Sequence, residues 1–369
     1  MLPLSLLLAF LPGVTPNLTP ELDAIRTVGK EGTGNEAAAK AWATLVAAGE
    51  PALIPTLRAF EGASPAAQNW LRTAANAIAE AEKQAGRKFD ATALTMFLTD
   101  TQRHPSARRI AYELLNDQDA ATAKTLLAKF INDPSLELRR DAIALRIDTK
   151  SATEMRVLFN LARDKDQVEN IAKKLKEMKA EPSITQHFGY ITQWNVIGPF
   201  DNKDGKGFNV PHEPETKIDL TAKGWRPAQS SATYGTIDLN TAIGKHKDAV
   251  GYAVATIIAD SEIAAEIRVA SQNAVKFFVN GKEVFAREEY HHGTKMDQHT
   301  APIKLKKGSN TILLKVCQND MTYSWAQAWG FAARICDSSG GALPVKQSFL
   351  SEAIEPGALA PAPAKKEDK

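Results

Sequence analysis

The pattern of hydrophobic and polar positions divides the chain into two parts. Between residues 18 and 182, apolar residues recur at helical spacing among Ala, Leu, Glu, Lys and Arg, and β-branched residues are few. Helix starts are marked by short breaks such as those at Ser64, Asp90, Ser135 and Ser151. The pattern predicts helices near residues 20–30, 35–48, 51–61, 64–85, 90–101, 105–116, 119–132, 135–147, 151–163 and 165–180.

After residue 182, β-branched and aromatic residues take over, and Gly, Asn and Asp mark frequent turns. Asn280-Gly281 supplies the two positive-φ positions of a tight hairpin turn. Many short strands with uneven loops are typical of an antiparallel β-sandwich. Strands are predicted near 194–197, 218–220, 236–239, 250–258, 263–270, 274–279, 282–285, 301–305, 310–316 and 330–336.

Two helical segments resemble each other and the HEAT repeat. Residues 133–143, DPSLELRRDAI, are similar to the entry of the second HEAT helix, and residues 104–111, HPSARRIA, echo them. This resemblance implies an α-helical solenoid whose concave surface docks a protein, with an irregular helical bundle as the alternative. Four arginines either form a basic ridge for an acidic partner, or cap carbonyls and pair with nearby Asp: Arg108, Arg109, Arg139 and Arg140.

Three segments of the β half resemble galactose-binding-like and glycoside hydrolase family 2 sugar-binding-like jelly-roll modules. They are WNVIGPFDN at 194–202, AVKFFVNGKEV at 274–284 and IKLKKGSNTILLKV at 303–316. The resemblance implies a jelly roll, carbohydrate recognition and an extracellular or periplasmic location. Helical repeats joined to such a module resemble exported proteins of planctomycete-type bacteria.

Composition and charge limit the classes of partner and scaffold that the chain can represent. The chain has 44% hydrophobic and 24% charged residues and a net charge of +2, which is typical of a globular protein and does not favour nucleic acid. Two cysteines exclude a disulfide-rich scaffold. If 310–318 and 329–336 formed a simple hairpin, Cys317 would lie opposite about residue 330, which disfavours a bridge to Cys336 and leaves two buried free thiols as the alternative.

The N-terminal residues predict export, and the C-terminal residues predict a disordered tail. Residues 1–17 form an apolar run that is too short for a stable transmembrane segment but typical of a signal peptide, with a buried N-terminal segment as the alternative. We therefore expect a secreted or periplasmic protein. The expected units are a helical domain at 18–182, a β-sandwich at 183–349 and a disordered Pro, Ala and Lys tail at 350–369.

A ligand site is predicted where aromatic and planar polar side chains cluster before the last strand. Aromatic faces stack on sugar rings, and amides or carboxylates bond to hydroxyls. The candidate residues are Trp325, Tyr323, Asn319, Asp320, Gln327 and Tyr290. Trp194 and Trp329 are expected to pack in the core instead.

Metal binding and catalysis have weaker sequence support. His291, His292, Asp297 and His299 share a loop that could bind a transition metal or be a solvated polar loop. Asp201, Asn202 and Asp204 could offer oxygens to calcium, although their spacing differs from that of an EF-hand loop. Otherwise no cofactor is predicted.

The sequence contains none of the common catalytic motifs, such as G-x-S-x-G or H-E-x-x-H. The leading hypothesis is an exported, non-catalytic binding or scaffolding protein. Its sandwich would recognise a carbohydrate or a cell-surface component, and its helices would dock a protein. The alternatives are a purely protein-interaction scaffold and a hydrolase or lyase of unrecognised type, which would need a pocket converging on His291, His292 and Asp297.

Overall fold

The computed structural model describes residues 17–348, and the chain divides into two compact units between Met178 and Lys179. The predicted signal peptide, apart from its last residue, and the predicted tail lie outside the described residues. Among the residues described, no helix is long and apolar enough to cross a membrane.

The first unit is helical, as the apolar spacing predicted. Side chains at Ser64, Asp90, Ser135 and Ser151 each accept a hydrogen bond from a backbone N–H in the first turn, so these residues are N-caps as predicted. The helices are α1 Thr19–Arg26, α2 Asn35–Ala48, α3 Glu50–Arg58, α4 Pro65–Gln84, α5 Ala91–Thr99, α6 Pro105–Gln118, α7 Ala120–Leu127, α8 Leu136–Ala144, α9 Ala152–Leu161 and α10 Lys165–Glu177.

The arginines of the two similar segments stabilise contacts between helices. Arg108 is fully buried and forms a bidentate ion pair with Asp133 at 2.6 and 2.7 Å. The Arg139 side chain donates to the Asp133 carbonyl, and Arg140 pairs with Asp166. The pairing alternative is therefore confirmed for these arginines, while the HEAT-like solenoid stays a prediction.

The second unit is an antiparallel β-sandwich. Its larger sheet has the order β2-β1-β4-β9-β6-β7, with β11 also paired to β4, and its smaller sheet has the order β3-β10-β5-β8. The strands are β1 Gln193–Asp201, β2 Arg226–Gln229, β3 Ile237–Asp238, β4 Ala249–Ala259, β5 Ile263–Ala270, β6 Ala274–Val279, β7 Lys282–Arg287, β8 His299–Leu305, β9 Gly308–Gln318, β10 Gly330–Cys336 and β11 Val345–Ser348, and the short helices are α11 Ile184–Phe188, α12 Glu213–Thr216 and α13 Leu239–Ala242.

The main core lies between the two sheets. Trp194 and Trp329 are 0% and 1% exposed there, so the prediction that both pack in the core is confirmed. Asn280 and Gly281 have φ of 51° and 79°, which confirms the predicted tight turn between β6 and β7. The other face of the larger sheet is also covered.

A second apolar cluster lies on that outer face. Residues 203–225, here called the strap, place Phe208 and Ile218 against Tyr252 and Leu313 of the sheet. Lys315 lies under the strap with no exposed surface, and its Nζ donates to the Val210 carbonyl and to Glu215 at 2.8 Å each. The larger sheet is thus buried on both faces at its centre.

Two predictions about this unit were wrong in detail. Residues 218–220 are not a strand, because Ile218 and Leu220 pack onto the outer sheet face as part of the strap. Strands β9 and β10 lie in different sheets and do not form a hairpin. Cys317 instead pairs across to Val250 and Ala274. Both thiols are nevertheless free and buried, as the alternative predicted.

Candidate functional site

Three loops meet at one end of the sandwich. They are residues 271–273 between β5 and β6, 288–298 between β7 and β8, and 319–329 between β9 and β10, which we call the aromatic loop. The pairing of Ala274 with Cys317 puts the start of β6 beside the end of β9. This register brings the predicted ligand residues to a single surface.

The aromatic loop exposes two parallel rings. Tyr323 is 64% exposed and Trp325 is 58% exposed. Their ring centroids are 5.6 Å apart with an angle of 7° between the planes. Because stacked carbons sit about 3.5–4.0 Å apart, the two rings must also be displaced sideways, which forms a stepped aromatic surface. Two large aromatic side chains this exposed are unusual unless they meet a ligand or partner.

Buried amide side chains anchor the loop from below. The Gln318 amide donates to the carbonyls of Ala326 and Ala328, each at 3.2 Å. The Asn273 amide donates to Gln318 Oε1 and to the Ala328 carbonyl. Gln318 and Asn273 are at most 1% exposed, so these bonds are shielded from water. The backbone of the loop that carries the two rings is therefore held by several buried hydrogen bonds.

Two of the predicted ligand residues brace the loop. Gln327 donates to the carbonyls of Thr322 and Tyr323, both at 2.7 Å. Asn319 Oδ1 accepts from the Met321 amide and bonds to His291 Nε2. Another predicted ligand residue, Tyr290, is half-buried and bonds to Asn202 instead.

The Tyr290 hydroxyl accepts a hydrogen bond from Asn202 at 3.2 Å, and burial raises the Tyr290 pKa to about 12. His291 follows in the chain and places its ring 5.7 Å from Trp325, edge to face. The imidazole thus supports the indole from the neighbouring loop.

The third exposed candidate, Asp320, supplies charge beside the rings. Burial raises the pKa of Asp248, and the charges of Asp320, Asp204 and Asp201 raise it further. Lys247 Nζ donates to the Ala326 carbonyl, and burial lowers its pKa while Asp320 opposes that effect. Asp201 and Asp204, predicted as calcium ligands, therefore lie near the same end of the sandwich.

A pocket of about 410 Å³ opens next to the aromatic loop. Its size falls within the roughly 300–1,000 Å³ of small-molecule sites. Polar side chains that line it include Asp238, Asn240, Ser271, Gln272 and Gln327. The pocket shares Gln327 with the aromatic loop, so polar groups that could bond to hydroxyls lie beside the loop that carries the exposed rings.

Asp297, one of the four residues predicted to share a transition-metal site, binds two arginines instead. Arg334 and Arg268 both donate to its carboxylate, at distances from 2.6 to 2.8 Å. Within residues 17–348, His, Cys, Asp and Glu side chains form no group of three or more that could bind a metal ion.

Sequence reasoning missed the residues that hold the loop. Gln318, Asn273 and Lys247 do not belong to any motif, and the partners of Asn273 and Lys247 are carbonyls distant in sequence. One usable signal was present: Gln318 ends a mostly apolar run of β9, and a buried amide there needs partners.

Comparison with known proteins places the chain in no family. No family model matches it, and no curated protein matches it. Among solved structures, a β-glucosidase from Kluyveromyces marxianus in complex with glucose is similar at 11% identity over 40% of this chain and 16% of that chain, with a TM-score of 0.26. A selenomethionine-labelled structure of the same enzyme gives 12% identity, 39% and 16% coverage and a TM-score of 0.24.

A family 35 carbohydrate-binding module from an environmental isolate is also similar. It matches at 15% identity over 43% of this chain and 91% of that module, with a TM-score of 0.21. The chain spans 16% of the length of the two β-glucosidase structures. At TM-scores this low, the likenesses define neither the fold nor the ligand of this chain.

Proposed function

We propose that the β-sandwich binds a carbohydrate through the Tyr323 and Trp325 rings. The observation that carries the proposal is the parallel, exposed arrangement of these rings on a loop anchored by buried amides. A flat aromatic face favours the C–H-rich side of a pyranose. Asp320 and the polar groups of the adjacent pocket would bond to hydroxyls.

The test is binding of the full chain to a glycan array and to insoluble polysaccharides. Trp325→Ala should abolish binding, whereas Trp325→Phe should retain part of it, because Phe keeps an aromatic face. Arg287→Ala is a control on the same side of the unit, since this exposed strand residue lies outside the loop. If the intact chain binds no glycan, or if Trp325→Ala binds as well as the wild type, the proposal is wrong.

A protein partner for this surface is the second candidate. Met321 is 39% exposed next to the two rings, so the surface also has the Met and aromatic composition of protein interfaces. If the partner is a protein, both Met321→Ala and Trp325→Ala should weaken its capture. For a sugar ligand, Met321→Ala should have little effect.

The helical unit is proposed to dock a protein. Support comes from a groove of about 580 Å³ between the ends of α4 and α6, with Phe89 and Leu114 in its lining and charged Lys83 and Asp117 beside them. Cross-linking of the full chain in its native extract, compared between wild type and Leu114→Glu, would identify such a partner. Unchanged cross-links in Leu114→Glu would rule out this groove.

Export, without catalysis, completes the proposed role. The support is the apolar N-terminal run and the lack of a recognised catalytic motif in the sequence. N-terminal sequencing of the mature protein from a native source would test export. A cleaved N-terminus near residue 17 in the extracellular or periplasmic fraction is expected, and an uncleaved cytoplasmic protein would contradict it.

A further inference from the structure

His292 and His299 form a pair of imidazoles behind the candidate ligand surface. His292 belongs to the loop between β7 and β8, and His299 is the first residue of β8. Their ring centroids are 5.9 Å apart, and the ring planes are nearly perpendicular at 86°. The glycan proposal makes no use of either side chain.

Both rings leave a buried nitrogen without a partner. The Nε2 atoms of His292 and His299 are shielded from solvent and form no hydrogen bond. His299 is only 8% exposed as a whole residue. A buried polar atom without a partner destabilises the fold, so two such atoms on neighbouring rings indicate that something else can bind there.

Surrounding groups hold both rings in place. The Gly293 carbonyl lies 3.2 Å from His292 Nδ1, and the Gln298 side-chain amide reaches the same nitrogen. When Nδ1 donates its proton to the carbonyl, Nε2 is left free to bind a ligand. The His299 ring packs 5.0 Å from Phe285.

The spacing of the rings suits two imidazoles bound to one ion. With metal–nitrogen bonds of roughly 2.0–2.1 Å, two coordinated ring centroids lie at most about 6.4 Å apart. The observed 5.9 Å is within that limit.

We propose that His292 and His299 bind a divalent first-row transition-metal ion through their Nε2 atoms. Within the described part of the chain, the pair has no third His, Cys, Asp or Glu ligand in place, so water would complete the coordination. Imidazole ligands favour copper, nickel and zinc, and copper(II) binds most tightly of these.

The experiment titrates the untagged full chain with Cu(II) and with Zn(II). Electron paramagnetic resonance should show one Cu(II) with two nitrogen ligands. With ¹⁵N-histidine labelling, Zn(II) should shift the Nε2 signals of two histidines together and saturably. His299→Gln and His292→Asn should each weaken binding at least about tenfold.

His246→Gln is the control, since His246 lies in the loop before β4, with its ring 6.4 Å from Trp329 and outside the pair, and its loss should leave metal binding unchanged. His299→Gln could disturb the core, so circular dichroism must show that it is folded, and the surface-ward His292→Asn gives the same test without that risk. The proposal is overturned if no ordered two-nitrogen copper signal forms, if the shifted signals belong to other histidines, or if His292→Asn binds like the wild type.

Discussion

Single buried charges give the most direct residue-scale predictions. Lys315 is fully buried on an apolar strand, and the side chain of its partner Glu215 is 12% exposed. Glu215 also bonds to the Tyr252 hydroxyl, so three polar groups share one small buried site. Removing one of them leaves the others unsatisfied in a medium of low polarity.

We therefore expect Lys315→Met to lower the free energy of unfolding by about 3–5 kcal/mol, because Glu215 would remain as an uncompensated buried charge. Urea denaturation of the full chain measures this. Lys304→Met is the matched control: its pair with Glu262 has side chains 67% and 61% exposed, and its loss should cost less than about 1 kcal/mol. Equal effects of the two substitutions would contradict this account of the strap.

Asp297 gives a pH-dependent prediction. Burial alone would raise its pKa, but hydrogen bonds and charges from Arg334 and Arg268 outweigh burial and hold the pKa below its usual 3.8. A depressed folded-state pKa adds stability that is present above about pH 4 and is lost as pH falls through the lower, folded-state value.

Asp297→Asn should accordingly be destabilised at pH 7 by about 3 kcal/mol, because Arg334 stays buried without its partner. Asn also tolerates the positive φ of 60° at this position. The difference from the wild type in thermal unfolding should shrink as the pH is lowered below 3.8. A difference that is constant from pH 7 to pH 2.5 would show that the effect is not electrostatic.

At the scale of elements, the aromatic loop depends on attachments to neighbouring strands. Asn273 lies in the loop before β6, and its amide group holds both Gln318 and the Ala328 carbonyl and accepts from the Gly330 amide. Residues outside the loop thus add to the bonds that Gln327 and Asn319 form within it.

Asn273→Ala should cost about 1–3 kcal/mol of stability, the usual penalty for leaving buried partners unsatisfied. It should also speed amide hydrogen exchange in residues 319–329 and weaken any ligand that needs the Trp325 ring. Asn240→Ala, which removes one exposed bond to the Gln327 carbonyl, is the control and should change exchange much less. Unchanged amide exchange in Asn273→Ala would show that the hydrogen bonds within residues 319–329 are enough to hold the loop.

At the scale of the whole molecule, both cysteines lie in the β unit and are shielded from solvent. Burial raises the pKa of Cys317 to about 12 and of Cys336 to about 11. Thiolate formation and reagent access are therefore both suppressed in the folded state.

We expect the native chain to react with less than one equivalent of a thiol reagent, and both thiols to react once the β unit unfolds. Since Cys317 and Cys336 are the only cysteines, the labelling midpoint in urea reports on the β unit alone, while helical circular dichroism reports on the other unit. Rapid labelling of Cys317 in native buffer would mean that the strap opens.

The local pattern of the sequence determined most of the elements. Helix starts and the N-caps Ser64, Asp90, Ser135 and Ser151 depend on neighbouring residues, so local chemistry suffices to predict them. The Asn280-Gly281 turn is equally local. Strand β2 was missed because Pro227 and its exposed neighbours look like a loop, yet an edge strand accepts proline.

The candidate site was only partly predictable for the opposite reason. Sequence proximity grouped Tyr323 and Trp325 with Asn319 and Gln327, but it could not show that Asp297 faces two arginines. The bonds of Arg334 to Asp297 and of Lys315 to Val210 join residues far apart in the chain. The sequence by itself determined where most strands and helices form, whereas tertiary packing decided which buried polar side chains pair, because such pairing arises only when distant segments meet.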